Sequence, residues 1–83
     1  MNITEKITQG EIPIIGKNIK KLRKQNHLRN IDVVTKLQLA GLGLSTSTLS
    51  KIEGGKSNPS TELLIALTEI FQCDFNAFFD ENL

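Results

Sequence analysis

Thr46, Ser47, Ser50 and Lys51 sit close together inside the stretch "LSTSTLSKIEGG". With Thr46 at 0° on a helical wheel, Ser50, Ser47 and Lys51 fall at about 40°, 100° and 140°, one small polar face. Thr48, Ile52 and Leu49 fall at about 200°, 240° and 300° and are expected to point inward. Short hydroxyls and one lysine offer hydrogen-bond donors and acceptors with little bulk. Such a face lets the backbone come close to another polar surface, and the start of a helix favours phosphate. A helix that needed only solubility would more often carry Glu, Lys or Arg there. The pattern is that of a helix lying in a groove.

Other chemistries find less support. The run "EGGKSN" ends like a phosphate-binding P-loop, but Ser50 stands where that motif needs its first glycine, and no strand pattern precedes it. His27 and Cys73 are the only residues of their types. They read as a turn residue and an apolar position before a cap, not as a base and its nucleophile. One Cys and one His also leave no zinc constellation. No catalytic residue, metal site or cofactor is expected.

The polar face needs a scaffold, and the sequence reads as five short helices. From Ile15, the residues Ile15, Ile19 and Leu22 recur at i, i+4 and i+7, predicting a helix that ends near Gln25–Asn26. A second helix begins around Asn30, with Val33, Val34 and Leu37 inward. Ser45 is a good cap for the third, flanked by Leu44 and Leu49 at hydrophobic-staple positions, and Gly54-Gly55 supplies its stop. Asn58-Pro59-Ser60 is a turn and cap for "TELLIALTEIF", which is apolar on nearly every face and is expected at the centre of the core. Asp74 caps a last helix, "FNAFF". Residues 1–13 show no period and read as a flexible tail or a short appended element, leaving 14–83 as the folded domain.

Charge is distributed unevenly. Residues 15–58 hold nine Lys or Arg against Asp32 and Glu53, a net +7, while residues 59–83 hold five acids and no Lys or Arg. Such asymmetry implies that one end of the domain meets a polyanion. At 83 residues there is one domain, burying roughly 60–65% of its unfolded surface. The lone thiol fits a reducing compartment, no apolar run approaches the ~18 residues of a membrane span, and the polar N-terminus is unlike a signal peptide. A soluble cytoplasmic protein is expected, with no membrane partner.

"IGKNIKKLRKQNHLRNIDVVTKL", "LSTSTLSKIEGGKSNPS" and "LLIALTEIFQCDFNAFF" resemble successive parts of the lambda-repressor-like (Xre-type) helix-turn-helix DNA-binding family. The likeness covers about residues 15–79 and is sharpest from Leu44 to Pro59. It implies an all-α, compact five-helix lambda-repressor-like DNA-binding domain. By position, Thr46, Ser47 and Lys51, with Ser50 beside them, would face base edges. Arg29 and Asn30, and Lys56, Ser57 and Asn58, would contact phosphates and set register. Arg23 and Glu53 match a structural ion pair joining the first helix to the third.

The chain also departs from the family pattern. Roughly five residues, Gln38–Leu42, lengthen the connection between helices two and three, and Arg29 stands where a capping Ser or Thr is usual. The glycines suggest that helix two runs through Ala40 and stops at Gly41 as a left-handed cap. The four phenylalanines read mainly as core, with Phe78, Phe79 and Leu83 a candidate patch for closing a two-fold dimer.

The function expected from this resemblance is a double-stranded-DNA-binding transcriptional regulator. It would act as a homodimer on an inverted-repeat operator, with repression ahead of activation on family frequency. The alternatives are an antitoxin-type or other protein-interaction module whose partner is a toxin or co-regulator, and a degenerate helix-turn-helix that has lost DNA binding.

Overall fold

The computed structural model of the chain describes Lys6, Ile7 and residues 13–83. The three-to-four-residue spacing of Ile15, Ile19 and Leu22 turns one apolar stripe inward along α1 (Ile14–Gln25), and all three are buried. Val33, Val34 and Leu37 do the same for α2 (Asn30–Leu39), and Leu49 and Ile52 for α3 (Thr46–Glu53). In α4 (Thr61–Phe71) the residues Leu63, Leu64, Leu67 and Phe71 are buried, making it a main wall of the core. The last element, Phe75–Phe79, is a 3-10 helix and not the fifth α-helix expected. Five residues between Asp74 and Asp80 are too few to close more than a turn, and the tighter 3-10 winding suits such short pieces.

α3 packs against α1 and α2, while α4 and the 3-10 helix close the core from the other side. Phe78 has no exposed surface and sits among the aliphatic side chains of that core. This corrects its assignment to a dimer patch, because a fully enclosed ring has nothing to offer a second subunit. Phe79 beside it is 44% exposed, and Leu83 is half-buried.

The N-terminal segment, residues 1–13, lies mostly outside the described residues. Of it, Lys6 forms an antiparallel bridge with Ser60, and the Ile7 N–H donates to the Pro59 carbonyl at 2.9 Å.

Helix ends are set by local chemistry. The side chains of Ser45, Ser60 and Asp74 accept from the backbone N–H groups of Thr48, Leu63 and Ala77, capping α3, α4 and the 3-10 helix. At the other end of α2, Gly41 adopts φ +89°. The Leu42 N–H then donates back to the Leu37 carbonyl at 2.8 Å, and the Gly41 N–H to Gln38 at 3.0 Å. That is a Schellman closure, with Leu42 folded against the core. α2 therefore stops at Leu39, and residues 40–45 carry the chain to α3. α3 closes the same way, with Gly55 at φ +78° and the Lys56 N–H donating to the Lys51 carbonyl. α1 closes through His27 at φ +57°, a strained but tolerated left-handed residue in an exposed turn.

Asn18 is polar and only 2% exposed. Its amide donates to the carbonyls of Ala77, Phe78 and Asp80 at 3.2, 3.0 and 2.9 Å. The Asp80 carbonyl also accepts from the Leu83 N–H at 3.3 Å, and one side chain on α1 thus fastens the C-terminal segment to the bundle.

Candidate nucleic-acid interface

Thr46, Ser47, Ser50 and Lys51 are all exposed on α3, and Leu49 and Ile52 beneath them are buried. Thr48 is exposed too, which corrects the inward position expected from the wheel. Its hydroxyl lies 3.0 Å from that of Ser45, so the N-cap draws it toward the helix start and away from the core. The outward face is thus wider than expected, and still built from short hydroxyls and one lysine.

Two clamps fix this helix. Arg23 on α1 meets Glu53 at the end of α3 in a two-pronged pair, Nε to Oε2 at 2.8 Å and Nη2 to Oε1 at 3.1 Å. The side chains are only 13% and 6% exposed. Arg23 also donates to the Leu28 carbonyl at 3.0 Å, so the same guanidinium holds the turn between α1 and α2. The planar fork of arginine matches a carboxylate in a way a lysine could not.

The second clamp is at the opposite end of α3. Asn30, the first residue of α2, donates through Nδ2 to the Thr46 carbonyl at 3.2 Å and to Ser50 Oγ at 2.9 Å. Its Oδ1 is enclosed with no hydrogen-bond partner. A carbonyl can only accept, so Nδ2 and not Oδ1 must face Thr46. The sequence suggested Asn30 as a cap or phosphate contact, and its side-chain donors are instead engaged on α3. No sequence signal marks this bridge, because the two partners are 16 and 20 residues away.

Arg29 precedes α2 as its N-cap, with its side chain 79% exposed. Asp32 offsets the missing capping hydroxyl. Its Oδ2 accepts from the Arg29 backbone N–H at 2.7 Å and from Nε at 3.1 Å, and Oδ1 accepts from Nη2 at 3.0 Å. The Arg29 side chain and backbone N–H hold the Asp32 carboxyl below its ordinary range, and the same pair raises Arg29 further. The i, i+3 spacing of Arg29 and Asp32 was the available signal.

Lys56 is exposed just beyond α3, and Ser57 and Asn58 after it are half-buried. The backbone N–H groups of Lys56 and Ser57 both donate to the Lys51 carbonyl, at 2.8 and 3.2 Å, so this loop is fixed to the end of α3. Lys51 and Lys56 form no ion pair among the described residues, which leaves two cations at one end of the helix. A polar face with fixed backbone, free cations and small side chains can hydrogen-bond to base edges and neutralise phosphate.

His27 is exposed in its turn and Cys73 is half-buried. Burial, with Asp74 adding, pushes the Cys73 thiol up from its ordinary value, which makes it a poorer nucleophile. Among the described residues, no group of His, Cys, Asp and Glu could hold a metal ion, and no helix is long and apolar enough to cross a membrane.

Comparison with known proteins agrees with this geometry. The model of the helix-turn-helix family matches residues 19–78. The chain is 40% identical over 63 residues to antitoxin PezA of Streptococcus pneumoniae serotype 4, a match that takes in 75% of this chain and 36% of PezA. It thus spans about a third of that relative's length. No solved structure matches. With the family match covering most of the chain, including both clamps and the whole of α3, the protein belongs to the lambda-repressor-like helix-turn-helix family.

Proposed function

We propose that this chain is a sequence-specific double-stranded-DNA-binding transcriptional regulator, cytoplasmic, acting by occupancy of an operator. The observation that carries the reading is the outward face of α3: Thr46, Ser47, Ser50 and Lys51, all exposed on a helix clamped at both ends. A helix held this firmly presents its side chains to a groove at little further ordering cost. Lys51 suits guanine O6 and N7, a threonine methyl suits thymine, and the serines suit several bases. In this reading Lys56 and Arg29, with Ser57 and Asn58 beside Lys56, contact the phosphates that flank the groove. Asn30 contributes through its hold on α3, and its backbone N–H at the start of α2 is its remaining route to a phosphate. Repression fits an occupancy mechanism, which asks nothing beyond binding.

A homodimer on an inverted repeat completes the proposal. Phe79 and Phe75 are 44% and 36% exposed, with ring centroids 5.8 Å apart, and form an apolar patch at the C-terminal side with half-buried Leu83 nearby in sequence. Selection from a random duplex pool should enrich paired half-sites about 10 bp apart, centre to centre. Enrichment of single half-sites would contradict the dimer. No enrichment at all would contradict base reading.

A second reading is favoured by the likeness to antitoxin PezA. In it the same DNA-binding fold belongs to an antitoxin-type protein that also holds a protein partner, a toxin. Co-expression with the product of an adjacent reading frame tests this. Stable co-purification with relief of growth arrest supports it, and independent behaviour of the two products counts against it.

A further inference from the structure

We infer that Asn30 is a specificity-positioning residue: by donating to Ser50 Oγ, it presents the Ser50 hydroxyl to DNA as a hydrogen-bond donor. The inference rests on the reading of α3 as the base-contacting helix and assigns a polarity to one of its contacts.

A serine hydroxyl ordinarily rotates to donate or accept as its surroundings ask. Ser50 is not in that position. Its oxygen accepts from Asn30 Nδ2 at 2.9 Å, and the direction of that bond is fixed by the second one, from the same nitrogen to the Thr46 carbonyl at 3.2 Å. A reversed amide would set Oδ1 against that carbonyl, oxygen to oxygen. The present orientation is kept although it leaves Oδ1 enclosed without a partner, so the two bonds to α3 outweigh an unsatisfied acceptor. With one lone pair occupied and the oxygen polarised by the bond it accepts, the O–H becomes the stronger outward group. Ser50 is exposed, so that O–H is available to a ligand.

In the major groove the consequence is selective. Guanine offers N7 and O6, adenine N7 and thymine O4, all acceptors, whereas cytosine offers only its N4 amino donor. The base facing Ser50 is therefore a guanine, adenine or thymine, with cytosine disfavoured. Asn30→Asp reverses the device. Its carboxylate accepts a hydrogen bond from the Ser50 hydroxyl, at the cost of an oxygen facing the Thr46 carbonyl, which leaves only lone pairs outward and favours the amino groups of cytosine or adenine.

The test is a double-mutant cycle on the full chain with duplexes varied one base pair at a time across a selected site. Wild type should discriminate against cytosine at one position by roughly three- to tenfold, the worth of a single hydrogen bond. Ser50→Ala should flatten that position alone. Asn30→Asp should move its preference toward cytosine, and Asn30→Ala should flatten it. Neither Asn30 variant should change the position further on a Ser50→Ala background. Thermal unfolding of each variant separates lost folding from changed preference, with Asn30→Ala as the fallback if Asn30→Asp unfolds.

Unchanged preference in both Asn30 variants, with wild type discriminating elsewhere in the site, overturns the inference and leaves the regulator reading intact. An equal shift on the Ser50→Ala background also overturns it. A wild type with no sequence preference at any position overturns both.

Discussion

Replacing Glu53 with alanine should remove a large part of this protein's stability. The Glu53 side chain is 6% exposed and that of Arg23 13%, so the substitution strands a nearly enclosed cation. Removing one partner of a buried pair costs about 3–5 kcal/mol. Two effects bring the figure toward the lower end. Arg23 keeps its bond to the Leu28 carbonyl, and Glu53 sits at the C-terminal end of α3, where a negative charge is disfavoured by a few tenths of a kcal/mol. A net loss of about 3 kcal/mol remains. The whole domain is worth roughly 4–12 kcal/mol at ordinary per-residue stability, and the midpoint should fall by about 12–24 °C.

Thermal and urea unfolding of Glu53→Ala, and of a double variant with Met at both Arg23 and Glu53, make the assay. The double variant should recover most of the loss, because a well-packed apolar pair strands no charge. Raising the salt should change the single variant's deficit little, since a buried pair is weakly screened. A loss below about 1 kcal/mol would place the pair among ordinary surface bridges and refute the reasoning. So would a double variant no better than the single one.

Three further outcomes are expected. Gly55→Ala should cost more than Gly41→Ala in urea unfolding. Both pay about 1–2 kcal/mol for the left-handed backbone, but a Cβ on Gly55 would lie 2.5 Å from Pro13 Cβ, while Gly41 has open space around it; Gly43→Ala, with open space and no positive φ, should gain about 0.4–1 kcal/mol. Phe78→Ala should cost about 3–5 kcal/mol, while Phe79→Ala should leave the monomer's unfolding nearly unchanged and weaken self-association in sedimentation. Asp32 is held below its ordinary value by Arg29, so its contribution is present above the carboxylate range and is lost as pH falls through the lowered folded value. Protection from hydrogen exchange at the start of α2, relative to the intrinsic rate at each pH, should fall on acidification in wild type and stay constant in Asp32→Asn.

Much of the scaffold was legible because it rests on short-range chemistry. Ile15, Ile19 and Leu22 announce α1, Ser45 and Ser60 announce two caps, and Gly41 stands where a left-handed residue ends α2. Features decided at long range were not legible. Asn18 reads as one more polar residue on a lysine-rich helix until the chain returns, about 60 residues later, and brings three carbonyls within reach of its amide. Phe78 and Phe79 are neighbours of the same type, and only the packing of the 3-10 helix decides that one fills the core and the other faces out. The bridge from Asn30 to Ser50 joins two elements through a contact that no periodicity encodes. Thr48 misled the wheel because a hydroxyl at the third helical residue can reach back to its cap.

The most direct test of the central claim is fluorescence anisotropy with a selected duplex and its scrambled counterpart, at two salt concentrations, for wild type and Lys51→Ala. Wild type should prefer the selected duplex, binding to both should weaken as salt rises, and Lys51→Ala should narrow the preference more than it weakens binding to the scrambled duplex. Equal, weak and salt-sensitive binding to both duplexes by both proteins would contradict it, and would turn attention to a protein partner.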